Sequence, residues 1–324
     1  MIRRSPVALA LVAVALTAAA CGGSSKSSDS TSSGTEPAAS GNGDAAGILS
    51  AIDTKAVTGP QKLKLDLTVD IKGTPSNAQL AVFTKQPIKL ALDGVVDSTG
   101  KSADMNVNVT LGKDPVQAEI RTGGGKSWIQ VDGKWYDLPA DALSSTTGQS
   151  LPQGTSLSSV DAGKILAAIG DPAKLLQNAT VSSDKVEGID SDKVSGDVNI
   201  EGVAAAAANL SKTMGSSGGT ATTQAEIDKS VAQLKKVVQK AHVDLWVGKS
   251  DHKVHRVAFT VDAKMDAATK TSSGLDALTL NLDVTTVDAD APDIKAPDSV
   301  GTPAEFQQAL VGLLTKVMSG ASAG

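Results

Sequence analysis

The chain has 324 residues, 40% apolar and 20% charged, with a net charge of −5, which is enough for one large or two small domains around a buried core. Only 2% is aromatic (Trp128, Trp135, Trp246, Tyr136, Phe83, Phe259 and Phe306); that is too few rings for base-stacking platforms, and the acidic balance lacks the basic face that phosphate neutralisation requires. One cysteine excludes a disulfide framework and a Cys-cluster metal site, and three histidines leave little material for His-based catalysis.

Arg3 and Arg4 precede an unbroken apolar run, Val7–Thr17, and then Ala18, Ala19 and Ala20. A run of 11 residues falls short of the roughly 20 that a helix needs to cross a bilayer. Residues 1–20 are therefore expected to be an export signal. Cys21, the only cysteine, follows at once. The arrangement resembles the lipobox of bacterial lipoproteins, where the thiol is diacylated and the cysteine becomes the mature N-terminus, although Ala18 stands where leucine is usual. An ordinary secretory signal would leave a lone exposed thiol, a liability in an exported protein. Acyl chains contribute ~0.8 kcal/mol per buried methylene, so the expected location is the outer face of the cell membrane, anchored by lipid at Cys21. Removing residues 1–20 takes away Arg3 and Arg4 and leaves a charge of −7.

Residues 21–44 then read as the acylated cysteine and a Ser/Gly-rich tether, Gly22 to about Asp44, with no apolar periodicity. Its r.m.s. reach is ~25–30 Å, which lets the body turn any face to the membrane. Residues 45–324 are expected to form one domain, because no composition break divides them.

Ile48, Leu49 and Ile52 suit a short helix. Lys62–Ile71 alternates strictly, with Leu63, Leu65, Leu67, Val69 and Ile71 on one face and charged or polar residues on the other, as a half-buried strand must. The pattern recurs at Ile88, Leu90 and Leu92; at Met105, Val107, Val109 and Leu111; and at Val116, Ala118 and Ile120. Gly123-Gly124-Gly125-Lys126 reads as a hairpin turn, and Asp132-Gly133 marks another between Ser127–Val131 and Lys134–Leu138. A loop at Ser144–Ser159 leads to helical stretches at Val160–Ile169 and Pro172–Leu176, then a hairpin, Thr180–Val186 and Lys193–Ile200, around Gly188-Ile189-Asp190. Helices are expected over Val203–Met214 and Gln224–Ala241, separated by a Gly/Ser/Thr loop at Gly215–Thr223. Strands resume at His242–Gly248, Val254–Ala263 and Leu275–Val287, where Leu278, Leu280, Leu282 and Val284 alternate with polar residues. Pro303–Met318 is a final amphipathic helix, with Thr302 as N-cap and Phe306, Leu310, Leu313, Leu314 and Val317 on one face. The fold class is α+β: a single curved antiparallel sheet of nine to eleven strands packed over helices.

Four stretches resemble the LppX/LprAFG family of actinobacterial lipoproteins, relatives in fold of the LolA lipoprotein carrier. They are Gly125–Pro139, with its glycine-tryptophan/tyrosine hairpin; Asp161–Asn199, paired short helices and a glycine turn; His242–Asp262, a tryptophan-bearing strand and its return; and Leu278–Ser299, a last strand with a proline-rich exit. Their order agrees over about residues 45–300. The block Val203–Ala241 is longer than the family pattern, the helix after Pro303 is extra, and Val287-Asp288 replaces the usual aromatic. The resemblance implies a half-barrel over helices that encloses an apolar cavity for acyl chains of lipids or glycolipids. Leu65, Leu67, Val69, Leu90, Leu92, Val107, Val109, Leu280 and Leu282 are the expected lining. Singly, each is better read as ordinary core packing; only the set supports a cavity.

The sequence has no HExxH, CxxC or GxGxxG motif. His252 and His255 are three apart, so on a strand they point to opposite faces and cannot share a metal without a bulge; an exposed turn is the simpler reading. Asp288, Asp290, Asp293 and Asp298 are too scattered for a calcium loop. The expectation is a non-enzymatic, cofactor-free lipoprotein that binds acyl chains and carries them within the envelope, with the membrane and a lipid or glycolipid as partners and no nucleic acid. The alternative is an envelope scaffold or sensor with a filled core.

Overall fold

The computed structural model describes residues 42–53, 59–75, 81, 83–97, 102–111, 115–138, 175–202, 231–232, 234–302, 304–309 and 311–312. The export signal, Cys21, the tether up to residue 41, the Ser144–Ser159 loop and the stretches Val160–Ile169 and Val203–Thr223 lie outside them. The chain runs α1 (Asn42–Ala51), β1 (Pro60–Gly73), β2 (Ile88–Asp97), β3 (Ala103–Thr110), β4 (Pro115–Gly123), β5 (Lys126–Val131), β6 (Lys134–Asp137), β7 (Leu176–Val186), β8 (Ile189–Val198), β9 (Val238–Gly248), β10 (Val254–Lys264), α2 (Ala267–Ser273) and β11 (Leu275–Asp288). A last helical stretch, α3, covers residues 304–309 and 311–312.

The strands form one 11-stranded sheet in the order β6-β5-β4-β3-β2-β1-β11-β10-β9-β8-β7, so the sheet is not closed and its two edges are β6 and β7. Every neighbouring pair in this order is consecutive in the chain except β1 and β11, while the consecutive strands β6 and β7 stand at the two edges. The pairings of β1 to β6, of β7 to β9 and of β1 with β11 are antiparallel. Three tight hairpins carry positive φ at both central residues: Gly124-Gly125 (59° and 76°), Asp132-Gly133 (49° and 77°) and Glu187-Gly188 (49° and 87°). This is the backbone twist that two-residue hairpin loops require and that glycine supplies without steric cost.

Contacts cluster into two compact units, Met1–Val57 with Asp161–Val261, and Thr58–Val160 with Asp262–Gly324. In the first, α1 lays Ala45 and Leu49 on Val194 of β8, with Ile48, Ile52, Leu176, Ala179, Val181 and Leu245 around them. The helix begins at Asn42, so residues 42–44 belong to it rather than to the tether. Its exit is pinned where the Asp53 N–H donates to the His252 carbonyl at 2.9 Å.

In the second unit, β1 fixes the register on both sides. Leu65 lies opposite Val284 and Leu92, Leu67 opposite Leu282 and Leu90, and Val69 opposite Leu280 and Ile88. The rows continue through Leu92–Val107–Ala118–Val131 and Leu90–Val109–Val116. Directly paired residues share a face, so a two-residue periodicity legible in each strand becomes one continuous aliphatic surface.

Residues 289–300 leave β11 and run along the end of the sheet where β1 begins. The Ala289 N–H donates to the Pro60 carbonyl at 3.1 Å, Ile294 lies against Gly123 of β4, and the Gly301 N–H donates to the Trp135 carbonyl at 2.7 Å. Gly301 makes a parallel bridge with Tyr136, which covers part of the β6 edge. The segment then enters α3.

Several boundaries differ from the sequence reading. The helix expected over Gln224–Ala241 ends at residue 237, and Val238–Ala241 open β9; apolar spacing at i and i+4 fits a helix, but sheet pairing overrides that weak preference. Leu176 opens β7 instead of closing a helix. Conversely, α2 has no apolar stripe to reveal it and is held by its caps: Asp266 accepts from the Thr269 N–H at 2.8 Å, and Gly274 is left-handed at φ 71°.

Gly94 of β2 faces Met105, and a Cβ there would fall 2.1 Å from the Asp104 carbonyl oxygen and 2.7 Å from Met105 Cα. Gly94→Ala is expected to destabilise the protein by about 1–3 kcal/mol, read as a lower urea midpoint at unchanged slope. An unaltered midpoint would show that the two strands do not approach this closely.

Candidate functional site

All nine residues expected to line a cavity lie on one face of the second unit, brought together by the β1 register. Their burial differs. Leu280 and Leu282 of β11 are 3% and 5% exposed, whereas Leu65, Leu67, Val69, Leu90, Leu92, Val107 and Val109 are only half-buried. A half-buried leucine on a sheet keeps part of its side chain available, at about 25 cal/mol per Å² of apolar surface that a ligand could cover.

The same face is covered at its β5–β6 end. Phe306 of α3 packs with Val131 and Tyr136, and Ala118, Ile129, Leu138 and Ala309 surround them. The Phe306 and Tyr136 rings stand 5.5 Å apart and tilted by 42°, within the range of favourable aromatic pairs. A reciprocal cap starts the helix: the Glu305 N–H donates to Thr302 Oγ1 at 3.3 Å, and the Thr302 N–H donates back to Glu305 Oε2 at 2.7 Å. Lys134 Nζ of β6 donates to Glu305 Oε1 at 2.7 Å. One carboxylate thus both caps α3 and ties it to the sheet. Thr302 is the N-cap that the sequence indicated; residues 313–318 of the expected helix lie outside the described residues.

The opposite face of the same strands is polar. Asn106, Glu119, Gln130 and Trp135 form one cross-strand row, and Asn108 faces Gln117 in the next. Here a cavity of about 450 Å³ opens between β3, β4 and the β5–β6 turn. Arg121 grips Glu119 through Nε at 2.7 Å and Nη2 at 2.6 Å, and its guanidinium lies 4.7 Å above the Trp135 ring.

The first unit carries a second polar network, on β7, β8, β9 and β10. Trp246 is buried, its indole N–H donates to Asp184 Oδ2 at 2.8 Å, and its ring sits 4.9 Å from Lys193 Nζ and 4.5 Å from Arg256 Cζ. The Trp246 N–H, then the Lys185 backbone N–H, hold the Asp184 carboxyl below its ordinary range, with smaller help from the Lys193 and Arg256 charges. Nearby, Ser195 Oγ is 3.0 Å from His242 Nε2, and His242 Nδ1 is 3.1 Å from Asp197 Oδ1.

That wiring matches the order of atoms in a nucleophilic triad, but the surroundings oppose such chemistry. Asp244 is hydrogen-bonded by Ser195 and Lys193; burial raises its carboxyl, yet those bonds and the Lys193 and His242 charges outweigh burial and keep it lowered and anionic. An anion beside the hydroxyl disfavours an alkoxide. Ser195 also lies within a strand, paired with Thr180 and Asp244 on its two sides, so its backbone N–H serves the sheet and not an oxyanion. The cluster is a cross-strand polar zipper. His255, expected in an exposed turn, is instead 3% exposed, with Nε2 3.1 Å from Asp251 Oδ2; His252 does occupy the turn. Among the described residues no three His, Cys, Asp or Glu side chains are placed to hold a metal ion.

Comparison with known proteins gives no matching family model and no matching curated protein. Solved structures to which the chain is similar include two mycobacterial proteins. LprF from Mycobacterium bovis shares 15% identity at a TM-score of 0.37, over 80% of this chain and 98% of that one. The Mycobacterium tuberculosis lipoprotein LppX shares 13% at a TM-score of 0.27, over 72% and 89%. No helix among the described residues is long and apolar enough to cross a membrane.

Lys134, the Thr302 backbone N–H and the Thr302 hydroxyl depress the Glu305 carboxyl from 4.5 to about 2. A depressed carboxylate stabilises the fold above its unfolded value, and that contribution is lost as pH falls through the folded one. α3 is therefore expected to loosen between pH 4.5 and about 2, seen as lost protection of residues 304–309 in hydrogen exchange. Glu305→Gln should flatten this dependence; an identical acid profile in the variant would assign the loosening elsewhere.

Proposed function

We propose that this protein is a membrane-anchored, non-enzymatic lipoprotein of the cell envelope that binds acyl chains of a lipid or glycolipid and carries them within the envelope. The observation that carries the reading is the aliphatic face of β1, β2 and β3, where Leu65, Leu67, Leu90, Leu92, Val107 and Val109 stay half-buried, while α3 covers the β5–β6 end of the same face. Hydrocarbon is the chemistry that such a surface suits. Each methylene moved from water onto it gains ~0.8 kcal/mol, so long chains need no polar recognition there.

Anchoring would come from diacylated Cys21, the tether up to residue 41 would give the body its reach, and transfer would be passive, with chains leaving one bilayer and being released into another. The motif resemblance over residues 125–139, 161–199, 242–262 and 278–299 supports the same reading.

The test uses the mature chain with Cys21→Ala, so that the protein's own acyl groups do not confuse the result. Organic extracts of gently purified protein are expected to contain co-purified lipid by mass spectrometry. Leu67 and Val109 flank Leu90 in one cross-strand row, and Leu67→Trp with Val109→Trp fills that surface while keeping it apolar. The double variant should keep its circular dichroism spectrum and lose most of the lipid. Absence of lipid from both proteins would overturn the carrier reading in favour of a scaffold.

A further inference from the structure

We propose that the polar face of β3, β4 and β5 is a binding site for a neutral saccharide, separate from the aliphatic face and independent of the acyl-chain reading. The cavity of about 450 Å³ there is lined by Asn106, Gln117, Glu119, Gln130, Asp132 and Gly133. Its volume lies within the range of small-ligand sites.

The side-chain chemistry selects the ligand. Asn106, Gln117 and Gln130 place three primary amides around one opening, and among the described residues none of these amides has a hydrogen-bond partner. An amide presents donor and acceptor in one plane, which suits neighbouring hydroxyls that must each give and receive a bond. Asn106, Glu119 and Gln130 lie in one row across three strands, about 5 Å apart from strand to strand, so they can engage successive hydroxyls of a single extended ligand. Asn108, directly across from Gln117, adds a buried Oδ1 with no partner among the described residues.

Charge narrows the class. Both contacts from Arg121 go to Oε1 of Glu119, which neutralises the carboxylate and leaves Oε2 as an acceptor. Asp132 adds a negative charge at the rim and no cation lines the opening. A neutral polyhydroxyl compound fits; an anionic sugar or a phosphate would meet Asp132 unopposed. Pro115 supplies an apolar wall for the C–H face of a ring. Next in the row beyond Gln130 is Trp135, whose ring is clamped by Arg121 and so holds the rim in place.

The structure holds this array rigidly. β4 pairs with β3 from Pro115 to Thr122 and with β5 from Ala118 to Gly123, and the Asp132-Gly133 turn that closes one side has both residues at positive φ. The amides therefore lose little freedom on binding, which lowers the cost of using polar contacts.

The test takes the mature Cys21→Ala chain and titrates it with maltotetraose, α-mannotetraose and the anionic tetragalacturonate, following side-chain amide signals by NMR and heat by calorimetry. Saturable binding of a neutral tetrasaccharide, with shifted Asn and Gln amide resonances, is the expected result. Gln117→Ala with Gln130→Ala should weaken it about tenfold or more, while Leu67→Trp with Val109→Trp should leave it unchanged. A second arm uses phosphatidylcholine vesicles with and without diglucosyl diacylglycerol. Vesicle capture that rises with the glycolipid and is lost in the glutamine variant assigns the sugar to a lipid headgroup; binding of the free oligosaccharide alone assigns it to a soluble or wall glycan. The proposal fails if no neutral saccharide binds in either arm, if binding survives the glutamine substitutions, or if tetragalacturonate binds more tightly.

Discussion

The pairing of β1 with both β2 and β11 is the constraint on which the second unit depends. Because side chains alternate on a strand, one register decides two surfaces at once. With Leu67 set between Leu282 and Leu90, the aliphatic residues of six strands fall on one side, and the amides and carboxylates fall on the other. A slip by one residue at β1 would set its leucines beside Asp93 and Asp283 and break the hydrocarbon surface. The polar cleft depends in the same way on the registers of β3, β4 and β5.

The two faces are finished differently. The aliphatic face is covered by α3 at the β5–β6 end, through Phe306 and the Thr302–Glu305–Lys134 connection. The polar face is finished by Arg121, which binds Glu119 and lies over Trp135. In the first unit the same division recurs, with α1 on Val194 and, on neighbouring strands, a network centred on Trp246. Exposed and half-buried ion pairs of this kind contribute little net stability, on the order of 0–1 kcal/mol each.

Much of this was legible in single strands. The strict alternation of Lys62–Ile71 places Leu65, Leu67 and Val69 on one side before any partner is known, and Asp132-Gly133 marks its hairpin by residue type alone. The strand count and the common face of the nine aliphatic residues follow from such local signals. Burial does not: Leu280 and Leu67 look alike in sequence, yet one is 3% exposed and the other half-buried, because burial depends on what a distant segment covers. His255 has no sequence signal that would separate it from His252; its clamp by Asp251 arises from the turn geometry. The amide row Asn106–Glu119–Gln130 was also hidden, since each member reads as an ordinary solvent-facing residue until the register aligns them. The helical reading of Val238 and Ala241 failed because two periodicities overlap there and long-range pairing decided between them.

The partner of Gln61 on β11 is Asp288, more than two hundred positions further along the chain. The pairings from β1 to β6 join strands that follow one another in sequence, so β2 to β6 can assemble beside β1 early, while the remaining side of β1 stays bare. Non-local pairing of this kind is slow, because a long segment must be brought back before any contact rewards it. A polypeptide threaded through a translocation channel from its N-terminus would emerge with that bare side waiting for the final strand. Completion of the sheet is thereby deferred until β11 is available, so any process that handles the chain from its N-terminus meets an unfinished sheet until then.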